Sequence, residues 1–220
     1  MSRLASPLLL LLVVACGDAT APPATPTSAL PPRAEARPPT FANEDGAWGR
    51  FHSKRFQVSI SLPDGKSWRI DDHSRPALAA VHEASSSKVS IQIEQQEELV
   101  NRHKCEERAR ETGWVPSKTL TTVDQEVTAL PEAYDSKIWV AIDAARPGGA
   151  LSGHVYLFGA FLRRCLFVHL ETRVPSANDE DILSDRLAVA RARMFRGLSL
   201  DPIRTTDDAT VPRDKPEIRR

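Results

Sequence analysis

The amino-acid sequence predicts an α+β fold, in which an antiparallel sheet of about six to eight strands packs with two helices. Short segments in both halves of the chain alternate apolar and polar residues with a period of two, which is typical of half-buried strands. Two longer segments lack Pro and Gly and have helical character. The predicted order of four strands, helix, four strands and helix, without an internal repeat, favours an antiparallel sandwich.

The first run of strands begins at residues 56–62, where Phe, Val, Ile and Leu alternate with Gln and Ser. The sequence Pro63-Asp64-Gly65 predicts a turn, in which Pro63 fixes φ and Gly65 takes the left-handed conformation. Three more strands are predicted before the first helix, at residues 68–70, 78–84 and 88–94.

Residues 97–112 contain no Pro or Gly and predict a helix that ends at Gly113. The apolar face of this helix is thin, because only Cys105, Ala109 and Thr112 lie together on one side. We expect such a helix to lie on the sheet through its small side chains and to leave its charged faces in solvent.

The second run of strands is predicted at residues 120–129, 138–142, 154–158 and 165–172. The last segment is almost continuously apolar, which indicates a central strand covered on both faces. Phe161 and Leu162 lie between the last two strands, beside Arg163 and Arg164. We expect long strands that turn only at residues 150–152; the alternative is an exposed tip that contacts a partner.

The closing helix is predicted to begin after Ser176 and to end at Gly197. Ser176 can serve as its N-cap, and acidic residues follow it in the first turn. One apolar stripe runs along this helix and should face the sheet. The stripe consists of Leu183, Leu187, Ala190 and Met194.

The segment 56–63, followed by Trp68 after the turn, resembles the opening of PsbP-like and DcrB-like domains. Those domains begin with a strand that ends in Leu-Pro, a Gly turn and a Trp. The resemblance implies a PsbP-like α/β/α sandwich across roughly residues 50–200. It implies no shared catalytic residues, and it suggests an accessory or binding protein of a secreted or envelope complex.

The N-terminal 16 residues contain a basic Arg3, an apolar run at residues 8–14 and then Val13-Val14-Ala15-Cys16. The run is too short to span a bilayer and suits a signal peptide. The last four residues resemble the lipobox of bacterial prolipoproteins, which implies that Cys16 is lipidated and becomes the first mature residue. The alternative is an ordinary secretory signal with an incidental Cys. Gly17 after the Cys favours the outer membrane.

Four regions follow: a lipoprotein signal peptide at residues 1–15, lipidated Cys16 with a Pro-rich disordered tether at 16–45, a single α+β domain at 46–200, and a disordered charged tail at 201–220. Seven Pro residues lie between residues 17 and 45. Pro fixes φ and removes a hydrogen-bond donor, so this tether has polyproline II character.

Cys105 and Cys165 remain once Cys16 carries lipid. Export places them in an oxidising compartment, and the predicted helix face and strand can meet, which favours a disulfide between them. The alternatives are two buried free thiols or a catalytic thiolate. A catalytic thiolate needs a nearby base, and His103 points elsewhere on a helix.

Other chemistry-bearing residues form no recognised motif. The six His residues are scattered, although His154 and His169 could face each other across a hairpin. Asp71 and Asp72 are an acidic pair beside a base, His73. A turn is the plainer interpretation of this cluster. Lys plus Arg and Asp plus Glu each total 29, so the formal net charge of zero offers no electrostatic basis for nucleic-acid binding.

We therefore expect a non-enzymatic envelope lipoprotein that binds a protein or cell-wall partner at the periplasmic face of the outer membrane. No cofactor, metal or catalytic residue is expected. The alternative is a small-ligand or metal-binding accessory domain that uses His154, His169 or the cluster at residues 71–73. A hydrolase with dispersed catalytic residues is a third hypothesis.

Overall fold

Most of the strands lie in one large sheet, with a helix on each face. The computed structural model describes residues 37–41, 47–116, 120–143 and 149–201. Within these residues the elements are β1 (Gly49–Ser53), β2 (Val58–Leu62), β3 (Trp68–Asp71), β4 (Leu78–His82), β5 (Ser87–Gln95), α1 (Arg102–Glu111), β6 (Thr121–Thr128), β7 (Asp135–Asp143), β8 (Leu151–Phe161), β9 (Arg164–Val174), α2 (Glu180–Val189) and β10 (Ser199–Leu200).

The large sheet has seven antiparallel strands in the order β3-β4-β5-β9-β8-β7-β6. Its middle strand is β9, which pairs along its length with β5 on one side and β8 on the other. This position confirms the prediction from the continuous apolar sequence of β9. A second antiparallel sheet has the order β1-β2-β10.

Each face of the large sheet carries its own core, because alternate residues of a strand point to opposite faces. Ile91, Leu157 and Val168 belong to the larger core, which includes α2 and the small sheet. Phe158 and Phe167 belong to a smaller core beneath α1. One helix on each face of an antiparallel sheet confirms the predicted fold class.

The closing helix begins and packs as its sequence predicts. The Ser176 hydroxyl accepts a hydrogen bond from the Asn178 backbone N–H at 3.1 Å, and a 3-10 turn leads into α2. The helix continues beyond α2 with π-helical geometry at Ala190–Phe195. Its predicted stripe of Leu183, Leu187, Ala190 and Met194 is buried.

The first helix is shorter than its sequence predicts, because α1 begins at Arg102 and not at residue 97. The Asn101 side chain caps it by accepting from the backbone N–H of Lys104 at 3.0 Å. The residues before the cap pair instead with the β8–β9 turn: Val100 N–H donates to the Leu162 carbonyl at 2.8 Å.

The turn after β2 is present, but its glycine has a different role from the predicted one. Asp64, and not Gly65, has the left-handed φ of 50°. Gly65 is required for close approach, since a Cβ built on it would lie 2.3 Å from the Gly49 Cα of β1. The sequence pattern did not predict β1, which is short and has little apolar alternation.

The folded unit begins at Arg37, earlier than the predicted boundary at residue 46. Phe41 is only 3% exposed and lies near the rings of Trp68 and His82. Arg37 pairs with Asp181 at the start of α2. The last part of the predicted tether therefore belongs to the domain.

Several predicted features lie outside the described residues. They are the signal peptide at residues 1–15, Cys16, most of the tether and the tail at residues 202–220. No helix of the described segments has the length and apolar character that a membrane-spanning helix needs.

Candidate functional site

An open cleft of about 500 Å³ lies on the α1 face of the large sheet, beyond the C-terminal end of α1. The helix packs mainly over β8 and β9 and leaves the neighbouring part of the face uncovered. Ala79, Ser90 and His169 contribute to the floor of this cleft, while Trp114 and Arg75 line it from loops. The cleft therefore arises because α1 is too short to cover the whole sheet.

His154 and His169 come together at one side of the cleft. The register of β8 and β9 places Tyr156 opposite His169 and Glu171 opposite His154, so both imidazoles lie on the same face. His154 Nδ1 is 3.1 Å from His169 Nε2, which is a hydrogen-bonding distance. The structure thus brings together the two histidines that the sequence suggested could face each other.

The imidazole of His169 is held in its neutral form. Burial, together with the charges of His154 and Lys88, lowers the pKa of His169 to about 3. His169 therefore supplies an uncharged hydrogen-bonding group across the physiological pH range.

An aromatic stack supports the histidine pair from beneath α1. The Tyr156 ring lies parallel to the His169 ring with centroids 4.2 Å apart, and Trp139 stacks on Tyr156 at 5.2 Å. Arg110 of α1 covers the Trp139 ring at 5.2 Å. Burial raises the pKa of the Tyr156 hydroxyl, which has no hydrogen-bond partner among the described residues. Ring packing therefore fixes the position of His169.

Within the described ranges, no three or more His, Cys, Asp or Glu side chains form a group that could hold a metal ion. The cluster at residues 71–73 is a turn, as its plainer interpretation predicted. The Asp71 carboxylate accepts from the Ser74 hydroxyl and from the backbone N–H groups of His73 and Ser74. These hydrogen bonds, led by that from the Ser74 hydroxyl, lower the pKa of Asp71 to about 2.

Cys105 of α1 and Cys165 of β9 are joined by a disulfide, with their Cα atoms 5.4 Å apart. The geometric condition for the predicted pairing, a Cα separation below about 7 Å, is met. Both residues are buried in the smaller core, where the bridge fastens the helix to the central strand. A disulfide sulfur cannot serve as a thiolate nucleophile, which argues against the catalytic alternative for these residues.

The β8–β9 turn forms an exposed apolar tip, so the expectation that the long strands turn only at residues 150–152 is wrong. The strands are long, but they meet at Leu162 and Arg163, and Leu162 is 62% exposed with a φ of 52°. Leu99 is 67% exposed, and Phe161 is partly buried against the core. We call Leu99, Phe161, Leu162 and Arg163 the hairpin tip.

Comparison with known proteins supports the fold. No family model and no curated protein matches the sequence. The solved structure of the Ran-binding protein Mog1p of Saccharomyces cerevisiae matches with a TM-score of 0.50 and 6% identity, covering 70% of this chain and 95% of that one. The chain has a Mog1/PsbP-like fold. A Bacteroides thetaiotaomicron structure matches with a TM-score of 0.41 and 8% identity over 70% of this chain, which spans 49% of that protein.

On the other face of this Mog1/PsbP-like fold, a buried polar network was missed by sequence reasoning. His82 Nδ1 lies 2.7 Å from the Ser85 hydroxyl, which donates to the Ser87 hydroxyl at 2.8 Å. Ser87 then donates to Thr172 on β9 at 2.7 Å. The serine–histidine contact has no access to a substrate, because His82, Ser85 and Ser87 are all buried. This network is structural.

Proposed function

We propose that this chain is a lipid-anchored envelope protein that acts without catalysis, by binding a protein partner through the hairpin tip. The observation that carries the proposal is Leu162, a large apolar side chain held in solvent at a left-handed position. Gly or Asn is favoured at such a φ, so folding alone gives no reason for Leu.

The hairpin tip has the composition of a contact surface. Leu99 stands beside Leu162 because the 96–100 segment is hydrogen-bonded to the turn, with Gln96 N–H donating to the Arg163 carbonyl at 2.7 Å. Exposed Arg163 adds a charge to this apolar pair. Apolar anchors beside arginine are common in protein interfaces, and they suit a partner with an apolar pocket and an acidic rim.

Two further observations support the proposal. Mog1p, which shares the fold, is named as a Ran-binding protein, so this architecture can serve protein recognition. The sequence of residues 13–16 resembles a lipobox, and a lipidated Cys16 would tether the domain to the periplasmic face of the outer membrane. A disulfide between Cys105 and Cys165 suits that oxidising compartment.

The test is photo-crosslinking in the source organism, with a photoreactive residue at position 163 of the full-length protein. We expect one specific protein adduct, reduced about fivefold or more by Leu162→Gly, since an interface anchor contributes at least about 1 kcal/mol. Gly suits the φ of 52° at this position, so the variant should melt at or above the wild-type temperature.

A photoreactive residue at Ser184, exposed on α2, is the matched control and should not yield the same adduct. The proposal is wrong if the adduct survives Leu162→Gly undiminished, or if position 184 captures the same protein as efficiently.

A further inference from the structure

The cleft beyond α1 has the size of a small-molecule site. Its volume of about 500 Å³ falls in the range of ligand pockets, roughly 300–1,000 Å³. Its walls come from separate parts of the chain: the loop before β4, the residues after α1, and strands β5, β8 and β9. The sheet beneath is anchored by the aromatic stack, so the floor is formed before any ligand arrives.

The charges around the cleft favour an anion. Lys88 lines it and forms no ion pair with any described residue. Arg75 also lines the cleft. Its nearest carboxylate is Asp71, at 3.8 Å, and that carboxylate already accepts three hydrogen bonds from His73 and Ser74.

The one acidic residue of the lining is Glu171. Its charge is neutralised by Arg173, which donates two hydrogen bonds to it, at 2.6 and 2.9 Å.

The floor of the cleft can donate hydrogen bonds without adding charge. His169 is neutral, and a neutral imidazole has one N–H donor and one acceptor nitrogen. One ring nitrogen of His169 faces His154 at 3.1 Å. A bound anion would favour the tautomer in which the other nitrogen of His169 carries the proton. Ser90 adds a hydroxyl to the same floor.

Trp114 supplies a flat apolar wall. One side of it contacts Phe167, with ring centroids 5.7 Å apart, and Trp114 also lines the cleft. Ala79 and the Pro76–Ala77 segment add further apolar surface to the lining of the cleft. A ligand that matches these walls carries a compact aromatic ring, because aromatic rings pair favourably with one another in stacked or edge-to-face arrangements.

We propose that this cleft binds a small aromatic carboxylate, with the carboxylate at Lys88 and Arg75 and the ring against Trp114. His169 would donate a hydrogen bond to the carboxylate. The site lies on β5, β9 and the loop after α1, so it is separate from the hairpin tip and does not depend on the function proposed for that tip.

The test is calorimetric titration of the full-length protein with benzoate, and with benzamide as a neutral molecule of the same shape. We expect saturable binding of benzoate and binding at least about tenfold weaker of benzamide, since hydrogen bonds to charged groups contribute about 1.5–3 kcal/mol. Lys88→Met should weaken the binding of benzoate about fivefold or more, because it removes a charge-assisted contact. Trp114→Leu should weaken the binding of benzoate, which has a ring, but not the binding of inorganic phosphate, which has none.

Lys104→Met is the matched control, since Lys104 is exposed on α1 and pairs with Glu98 outside the cleft. This variant should bind benzoate as the wild type does. Equal binding of benzoate and benzamide, or equal loss in the Lys88 and Lys104 variants, would overturn the proposal. Phosphate that binds as tightly as benzoate would overturn the assignment of an aromatic ring.

Discussion

Arg186 donates a hydrogen bond from its guanidinium Nε to the backbone carbonyl of Pro39 at 3.1 Å, across 147 residues of sequence. The same guanidinium donates to the carbonyls of Ser85 and Arg173 and to the Thr172 hydroxyl. Arg186 is fully buried, and no described carboxylate lies within ion-pair distance of it. Burial lowers the pKa of Arg186. This side chain joins the N-terminal segment, α2 and the large sheet through neutral oxygens.

Arg186→Met should lower the free energy of unfolding by roughly 2–4 kcal/mol, because buried acceptors lose their donor and each unsatisfied group costs about 1–3 kcal/mol. Urea unfolding of the full-length protein measures this difference. Arg173→Met is the control: its ion pair with Glu171 is at the surface, so we expect a change below about 1 kcal/mol. If both variants unfolded at the same urea concentration, this would contradict a structural role for Arg186.

Cys105→Ala should lower the free energy of unfolding by roughly 2–5 kcal/mol, because the disulfide closes a long loop. The role of the bridge is structural, so no catalytic activity should be lost with it. The bridged residues are separated by 60 positions. Thiol titration of unreduced, denatured protein isolated from the cell envelope should find no free Cys105 or Cys165. Two reactive thiols from these positions would contradict the bridge, and a reductant should not further destabilise the Cys105→Ala variant.

Gly65→Ala should destabilise the fold by about 1–3 kcal/mol, the usual effect of forcing extra atoms into a packed site. The added Cβ would meet the backbone of Gly49, which cannot rotate away as a flexible side chain could. Asp64→Gly is the matched control, because Gly suits the φ of 50° at that residue. Thermal unfolding should show a clear loss for Gly65→Ala and a neutral or slightly stabilising effect for Asp64→Gly.

Stability should fall as the pH drops below about 6.5, the ordinary pKa of histidine. Burial lowers the pKa of both His82 and His169 in the folded protein. Below pH 6.5 the unfolded chain therefore binds more protons than the folded one, and each such His contributes a slope of up to about 1.4 kcal/mol per pH unit. For His169 this window extends down to a pH of about 3.

Unfolding free energies measured at pH 7 and pH 5 test this dependence. The groups that face His169 are Lys88, His154 and Tyr156. Those that face His82 are Ser85, Trp68 and Arg186. His169→Gln should reduce the pH dependence of the unfolding free energy. An unchanged slope in His169→Gln would show that this imidazole titrates normally in the folded protein.

Cys16→Ser should leave an unprocessed precursor without lipid, because the lipobox resemblance places the modification on that sulfur. Labelled palmitate incorporation and the electrophoretic mobility of the product measure the outcome. Cys105→Ser is the control and should still incorporate label. Equal labelling of the wild type and Cys16→Ser would contradict lipidation at this residue.

Features determined by neighbouring residues could be predicted from the sequence. Alternation along β2 and β5 predicted strands, and the apolar run of β9 predicted the central one. The closing helix followed from its cap and its apolar stripe. The pairing of His154 with His169 also depends on a local property, the register of one hairpin.

Features that depend on distant contacts could not be predicted in this way. Burial of Arg186 requires acceptors from Pro39, Ser85 and Arg173, and a lone Arg in a helix ordinarily indicates solvent exposure. The early end of the tether depends on a pocket for Phe41 between Trp68 and His82. The cleft depends on which part of the sheet α1 leaves uncovered, which the helix sequence alone does not specify. The late start of α1 depends on hydrogen bonds from Gln96 and Val100 to the β8–β9 turn.

The attachment of residues 37–41 has a mechanical consequence. A pulling force applied along the chain from residue 36 would act first on the contact between Arg37 and Asp181, then on the Pro39 carbonyl held by Arg186, and then on Phe41. These contacts lie on α2, β3 and β4, so the load would be spread into the larger core before it reached β1. Peeling of the short strand β1 from β2 would thus be delayed until this attachment ruptured.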